Sequence, residues 1–373
     1  MLQNKIYQNF TIEIIRIFLI ILFGLSLIAL TVRSVNFLDL IVDSGYPLKT
    51  YFKYSLLNLF GIAPKFIPLS FLLALMVFTV KHIQDSEFVI LWSSGVKKIQ
   101  IVNLFFLTSI LALIFYLVFS VFLTPLALNS SRQLLSNDKI DSFLPVVRTN
   151  QFSDSFKKFT FFVEKKTDNE LENIFLHDNG NNLKNLTSNT SESGSVVIIA
   201  KKGIIDKTNL FLFNGQIITS KKDESDNEII KFEQFNINLS DLTSTTIKLP
   251  KLQETSTFKL FNCFVKNKFN NKICENKIKE EIIPILSRRT ILPFYIPIIA
   301  LICSFLLVKS KKNESKKIKI FLNSFLILIF VELTVRYTGI NNILRYIFII
   351  TPFILSFFLY FLLIYKFSNE SKV

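Results

Sequence analysis

Residues 99–131 read IQIVNLFFLTSILALIFYLVFSVFLTPLALNSS, and from Ile99 to Ser131 there is no Asp, Glu, Lys or Arg. A helix of roughly 20 apolar residues crosses the hydrocarbon core of a bilayer. A soluble domain would break such a run into amphipathic periods. The stretch therefore marks an integral membrane protein. Five further segments have the same character. They are Ile14–Val32, flanked by Arg16 and Arg33; Leu56–Val80, with Gly61, Pro64, Lys65 and Pro68 in its first half; Thr290–Val308; Ile320–Val335, interrupted near its end by Glu332; and Tyr346–Tyr365. Six transmembrane helices are expected. Ile14–Val32 lacks a small-residue cleavage pattern behind it, and the chain re-enters the membrane twice soon after. It is read as a span rather than a removable signal.

Half of the 373 residues are apolar and 41 are Phe. Only 8 of the 43 basic residues are Arg, and this Lys/Asn/Ile/Phe-rich usage looks like that of an AT-rich genome. Where the lysines lie therefore matters more than the formal net charge of +15. Orientation follows the Lys/Arg bias of short loops. The loop Lys309–Lys319 holds six Lys and one Glu, which places it in the cytoplasm. By parity the loop Lys81–Lys98 and both termini share that side, while Arg33–Tyr54, Arg336–Arg345 and the long segment after span three lie outside. The expected organisation is residues 1–131 as spans one to three with a docking helix at about 83–95, residues 132–289 as an outer domain, and residues 290–373 as spans four to six.

The outer segment mixes charges of both signs and holds no spanning run. Short β-branched or alternating stretches recur: Lys158–Glu164, Ile174–His177, Ser195–Lys201, Asn209–Phe213, Gln216–Ser220, Ile229–Leu239 and Thr245–Leu249. Polar clusters such as Asp178–Asn182 and Lys221–Asn227 separate them. This pattern predicts an all-β antiparallel sandwich or open barrel, with a hairpin at Asn214-Gly215. Residues 251–279 read as an irregular or helical return to the membrane. Cys263 and Cys274 flank a polar stretch and can pair in an oxidising compartment, while Cys303 lies in an apolar run. The two histidines, His82 and His177, fall on opposite sides of the membrane on this topology, so no metal site is expected.

The short loop before span three carries the most functional information. Its run Asp85-Ser86-Glu87-Phe88-Val89-Ile90-Leu91-Trp92-Ser93-Ser94-Gly95-Val96 predicts a short amphipathic surface helix, capped by Asp85 or Ser86 and ended by Gly95. Its plain reading is a connector between two spans. Its functional reading is a docking helix for a cytoplasmic partner, with Glu87 offering a carboxylate to an Arg and Trp92 entering an apolar pocket. Arg33 and Arg336 close spans one and five on the outer side. Each can simply snorkel to the interface, or the two can bind an anionic, phosphate-bearing head group. Glu332, one helical turn before Arg336, offers an intrahelical ion pair as a third reading. An acid in a span rarely faces lipid, which turns Glu332 toward the bundle or a wet cavity. Arg288-Arg289 precedes span four and is placed against anionic head groups or the interface. The sequence holds no P-loop, no H-E-x-x-H and no G-x-S-x-G motif. The chain is accordingly read as non-catalytic and without a cofactor, and any work across the membrane needs a partner or an ion gradient.

Three spans, a strand-rich outer domain and three further spans resemble the LptF/LptG (YjgP/YjgQ) permease family of the lipopolysaccharide exporter. Asp85–Val96 resembles that family's coupling helix. Ser287-Arg288-Arg289-Thr290-Ile291-Leu292-Pro293 is similar to its H-R-R-x-x-x-P segment, with Ser in place of His. Phe232–Leu242 looks like its outer-domain strand ending in a D/N-L-S-D-like run. The last two features lean toward the LptF half. The resemblance implies a membrane α-helical subunit of a bacterial inner-membrane ABC transporter with a periplasmic β-jellyroll-like domain. It implies partnership with an LptG-like permease, two copies of an LptB-like ATPase and an LptC-like periplasmic protein, and no nucleic acid. The cargo would be lipopolysaccharide, passed toward the outer membrane. On this mapping Asp85, Ser86, Glu87, Trp92 and Gly95 belong to the ATPase-docking helix, and Arg33 and Arg336 to lipid binding. Apolar residues of spans one, two and five would line the acyl cavity, and Phe159–Val163 and Val196–Ile199 the jellyroll interior. Two other readings stay open. One is the sister LptG half. The other is a mechanotransmission protein that moves no lipid, an architecture that usually has four spans.

Overall fold

The computed structural model describes residues 5–42, 46–137, 149–156, 159–167, 169–179, 195–206, 209–220, 228–238, 251–265, 276–308 and 313–370. The helices are α1 (Lys5–Asn36), α2 (Asp39–Val42), α3 (Leu48–Gln84), α4 (Glu87–Ser93), α5 (Lys98–Val118) and α6 (Thr124–Asn137) before the sheet. After it come α7 (Thr257–Val265), α8 (Asn276–Thr290), α9 (Ile296–Ser304), α10 (Asn313–Tyr337) and α11 (Asn342–Glu370). By contacts the chain divides into two compact units, one of Met1–Val32, Leu57–Asn129 and Lys251–Val373, the other of Arg33–Leu56 and Ser130–Pro250. Residues 251–289, assigned from sequence to the outer domain, belong by contacts to the helical unit.

Among the described residues, five helices are long and apolar enough to cross a membrane. The expected fourth span is not one straight helix. Glu280–Thr290 and Leu292–Leu307 form a pair bent by 45°, and counting that pair as one brings the spans to six. The break has a local cause: Pro293 and Pro297 lack the N–H that a continuous helix needs, and Leu292–Tyr295 tightens into a 3-10 turn. The α9 that follows is short, bounded by that turn and by a second 3-10 turn at Phe305–Leu307, and it lies inside protein. Ile296 through Leu301, Cys303 and Ser304 are all buried, against α5 and α11. Cys303 is a free, buried thiol rather than a lipid-facing one. Cys263 is disulfide-bonded, and Cys274 lies outside the described residues.

Prolines inside spans free a carbonyl four residues back, and each freed carbonyl named here is matched from another helix. Pro64 cannot serve the Phe60 carbonyl, and Thr124 Oγ1 donates to it at 2.8 Å. Pro125 cannot serve Val121, and Thr257 Oγ1 donates there at 3.1 Å. Pro352 cannot serve Phe348, and the Tyr295 hydroxyl donates there at 3.0 Å. The π-helical turn Phe119–Leu123, just before Pro125, joins α5 to α6 inside one long span. At Gly339 the backbone comes so near that an added Cβ would sit 2.0 Å from the Glu280 carbonyl oxygen, the one Pro284 leaves free.

The second unit holds a six-stranded antiparallel sheet in sequential order: β1 (Ser153–Phe156), β2 (Phe159–Thr167), β3 (Glu170–Asp178), β4 (Ser195–Asp206), β5 (Asn209–Ser220) and β6 (Glu228–Asn238). It is thus a meander among the described residues, all-β and antiparallel as expected. Asn214-Gly215 is not a hairpin turn, because it lies inside β5. Asn214 takes φ 53° and Asn173 takes φ 50°. The ladders skip one pair beside each of them while keeping register, so Glu164, Asn173, Lys201, Asn214 and Glu233 line up across the sheet. Along that row the alternation changes parity. In β4, Val196, Ile198 and Ala200 are buried on one side of it, and Gly203 and Ile205 on the other. Paired kinks therefore curl the sheet so that both halves face one core. That core includes Phe159, Phe161, Val163, Val196, Ile198 and Leu212, while Ile199 of the expected interior points out, 39% exposed. Gly215 is required there, since a Cβ would meet the Ile199 carbonyl at 2.3 Å and the Phe232 ring at 2.5 Å. Thr245–Leu249 lies outside the described residues.

Candidate functional site

α3 continues through the expected loop to Gln84, so the surface helix is the shorter α4. Neither Asp85 nor Ser86 caps it with a side chain. Ser86 instead sits in the left-handed region at φ 60° and reverses the chain, its carbonyl accepting from Val89 and Ile90 N–H at 3.0 and 3.2 Å. The far end follows the expected glycine logic. Gly95 has φ 91°, its N–H donates to Trp92 O at 3.2 Å, and Val96 N–H donates to Leu91 O at 3.0 Å. This is a Schellman cap, with Leu91 and Val96 both packed on the core.

The inner face of α4 is Phe88, Leu91 and Trp92, at helical spacing. Phe88 is 1% exposed and meets Phe10 and Phe78 edge-on. Trp92 stacks on Phe88 with centroids 6.1 Å apart, and the Lys98 ammonium lies 4.7 Å over its ring. Trp92 thus packs into its own chain, and its Nε1 is buried without a hydrogen-bond partner among the described residues. The apolar groups that face outward are Val89 and Ile90, beside exposed Asp85 and a half-exposed Glu87. The Glu87 carboxylate shares a 2.5 Å hydrogen bond with His82 Nδ1. His82 is buried among Phe10, Phe78 and Phe88. Its other nitrogen lies 3.2 Å from Glu13 Oε2, and Glu13 in turn pairs with Lys81 at 2.8 Å. Sequence reasoning weighed His82 only as a metal ligand and missed this chain of contacts. The available signal was the spacing His82-x4-Glu87 at a helix break.

Arg33 and Arg336 occupy the last turns of α1 and α10. Both are exposed, and neither has a recorded ion pair among the described residues. They belong to different compact units. The intrahelical pair weighed for Arg336 is not made, because Glu332 binds the Arg288 guanidinium of α8 instead. That pair borders a cavity of about 340 Å³ also lined by Lys65, Tyr116 and Leu328. Arg289 does not face head groups either. It is 5% exposed and donates to Thr255 O at 3.0 Å, Thr257 Oγ1 at 2.9 Å and Gln253 O at 2.7 Å. Of the arginine pair placed at head groups or the interface from sequence, Arg288 thus ties α8 to α10, and Arg289 is an internal clamp. It holds the returning strap 251–257 on α8 and, through Thr257, on the carbonyl freed by Pro125.

No curated protein matches the chain in a direct sequence comparison. The family of the lipopolysaccharide export system permeases LptF/LptG matches residues 10–366, nearly the whole length, and the chain is a member of that family, an integral membrane permease subunit of lipopolysaccharide export.

Proposed function

We propose that this permease is the LptF-type half of an ATP-driven exporter in a bacterial inner membrane. ATP is hydrolysed by LptB-like partners on the cytoplasmic side, and lipopolysaccharide leaves through the periplasmic domain toward the outer membrane. The observation that carries the reading is α4. At the turn between two long spans it presents Asp85, Glu87, Val89 and Ile90 outward, while Phe88 and Trp92 anchor it to the bundle. A carboxylate beside two aliphatic groups suits a groove with an arginine at its rim. Because α4 is fixed to α3 and α1 through His82 and Glu13, movement imposed on it passes into the spans.

The remaining parts agree with a lipid path. The most apolar windows of α1, α10 and α11 are only 22%, 17% and 17% buried, against 61% for α3. Those three spans offer broad apolar faces to lipid and to an LptG-like partner. Arg33 and Arg336 supply uncommitted cations for phosphates. β6 carries exposed Ile229 and Ile230 on a strand paired on one side among the described residues, an edge to which a jellyroll-like neighbour such as an LptC-like protein adds by strand pairing. The five to six spans exceed the four of a mechanotransmission protein. The LptF rather than LptG assignment rests on Ser287–Pro293 and Phe232–Leu242.

The test is affinity purification of the tagged full chain in mild detergent, wild type against Glu87→Arg. Recovery of an ABC-type ATPase with a second six-span permease, and loss of the ATPase alone in the variant, is the expected result. A wild type that brings down no ATPase removes the energy source and sinks the reading.

A further inference from the structure

A cavity of about 560 Å³ opens between the start of α10, the end of α11 and the 3-10 turn after α9. Its lining includes neither α4 nor Arg33 nor Arg336. Its lining divides by chemistry. Lys316, Lys319 and Lys366 stand at one end, and Ile320, Ile327 and Leu359 continue away from them. Lys316 Nζ donates to the Val308 carbonyl, Lys366 Nζ lies 5.2 Å over the Phe305 ring, and Lys319 is exposed with no recorded partner among the described residues. No carboxylate lines the cavity among the described residues. The Glu370 carboxylate acts on Lys316 from outside the lining and is engaged by Lys98. Three ammonium groups around one cleft repel one another, most strongly where apolar walls lower the local dielectric. An anion seated among them removes that cost.

We infer that this cleft holds the head group of an anionic phospholipid, with an acyl chain along the apolar lane below it. The lane is what selects a lipid over a free anion. Lys316, Ile320, Asn323 and Ile327 follow one face of α10 at helical spacing. From Lys316 to Ile327 the helix rises about 16 Å, close to half of the roughly 30 Å hydrocarbon core. A charged rim above a lane one leaflet deep matches a single phospholipid in length and in polarity. The lane is open on one side, and neighbouring Leu322 and Leu326 are exposed, so a lipid enters laterally from the bilayer. This ligand differs from the exported cargo, and the leaflet it occupies, the cytoplasmic one, rests on the orientation proposed above. Beyond the rim, Glu370 acts on Lys316 and is bound by Lys98, whose ammonium also lies over the Trp92 ring of α4. Occupancy of the cleft is thereby placed to steady the end of α4.

The experiment uses the full-length protein in phosphatidylcholine nanodiscs. Trace photoactivatable phosphatidylglycerol is compared with photoactivatable phosphatidylcholine carrying the same chains, and labelled peptides are mapped. Phosphatidylglycerol is expected to label residues 313–327 and 359–366 several-fold more than phosphatidylcholine. That preference should vanish in Lys319→Gln/Lys366→Gln and persist in Lys317→Gln, which changes the same helix outside the cleft. Excess inorganic phosphate should leave it intact. Equal labelling by the two lipids in the wild type overturns the inference whether or not the variant folds, and so does a preference that survives the double variant. Abolition by inorganic phosphate identifies a free-anion site instead and also overturns it. ATPase recovery, scored on the same preparation, keeps the two readings apart: lost lipid preference with the ATPase present rejects the cleft alone, and a missing ATPase rejects the exporter reading while the lipid comparison still stands.

Discussion

Glu87 is half-exposed because one of its oxygens is held by His82, and His82 is held in turn by three Phe rings and Glu13. A carboxylate fixed in this way loses less rotamer freedom on meeting a partner than a free one. The helix that carries it ends at Gly95, where φ is 91° and an added Cβ would touch nothing within 4 Å. Substitution there therefore tests backbone strain alone. Gly95→Ala should cost about 1–2 kcal/mol, which corresponds to roughly tenfold faster hydrogen exchange at the Val96 amide. Gly95→Asn should cost less, since Asn tolerates the left-handed region. Unchanged protection in Gly95→Ala would show that packing of Leu91 and Val96, not the cap, ends the helix.

At the scale of elements, the bundle is built around groups that proline leaves unpaired. Tyr295 is 7% exposed, and its hydroxyl meets both the Phe348 carbonyl and Thr351 Oγ1, the latter at 2.6 Å. Tyr295→Phe should lower stability by about 1 kcal/mol, measured by reversible unfolding in mixed micelles. In a Pro352→Ala background residue 352 regains an N–H for the Phe348 carbonyl, so the same substitution should cost clearly less. Equal costs in both backgrounds would assign the hydroxyl's role to Thr351. The sheet shows a related lesson. Asn209–Phe213 and Gln216–Ser220 read as two strands because Asn214-Gly215 between them carries a hairpin signal. They are one strand with a left-handed residue in it. An Asn-Gly pair states that φ is positive there. Whether that makes a turn or a kink depends on the neighbouring strands, and Asn173 kinks β3 in the same row.

At the scale of the whole molecule, the proposed path needs a basic rim for phosphates and apolar walls for several chains. Arg33→Glu combined with Arg336→Glu should reduce photocrosslinking of lipopolysaccharide by several-fold while the ATPase and partner permease still co-purify. Undiminished crosslinking would return both arginines to interface anchoring. Arg288 and Arg289 should not behave in this way, because one pairs with Glu332 and the other is buried on the strap 251–257. Changing them is an attack on folding rather than on cargo.

Legible from the residues alone were the membrane character, five of the six expected spans, the all-β segment between spans three and four, the surface helix before span three and its glycine end. These rest on local quantities, namely length of apolar run, period and permitted φ, that need no knowledge of neighbours. Which charges are free depends instead on contacts between helices distant in sequence. Arg288, Arg289, Arg33 and Arg336 look alike in sequence. A guanidinium becomes a clamp or an open site according to what another helix brings within hydrogen-bond reach, Glu332 in one case and the carbonyls of Gln253 and Thr255 in another. The same holds for Trp92, drawn inward by Phe88 and Lys98, for His82, and for the broken fourth span, whose short α9 is stabilised by burial of all its residues but Ile302.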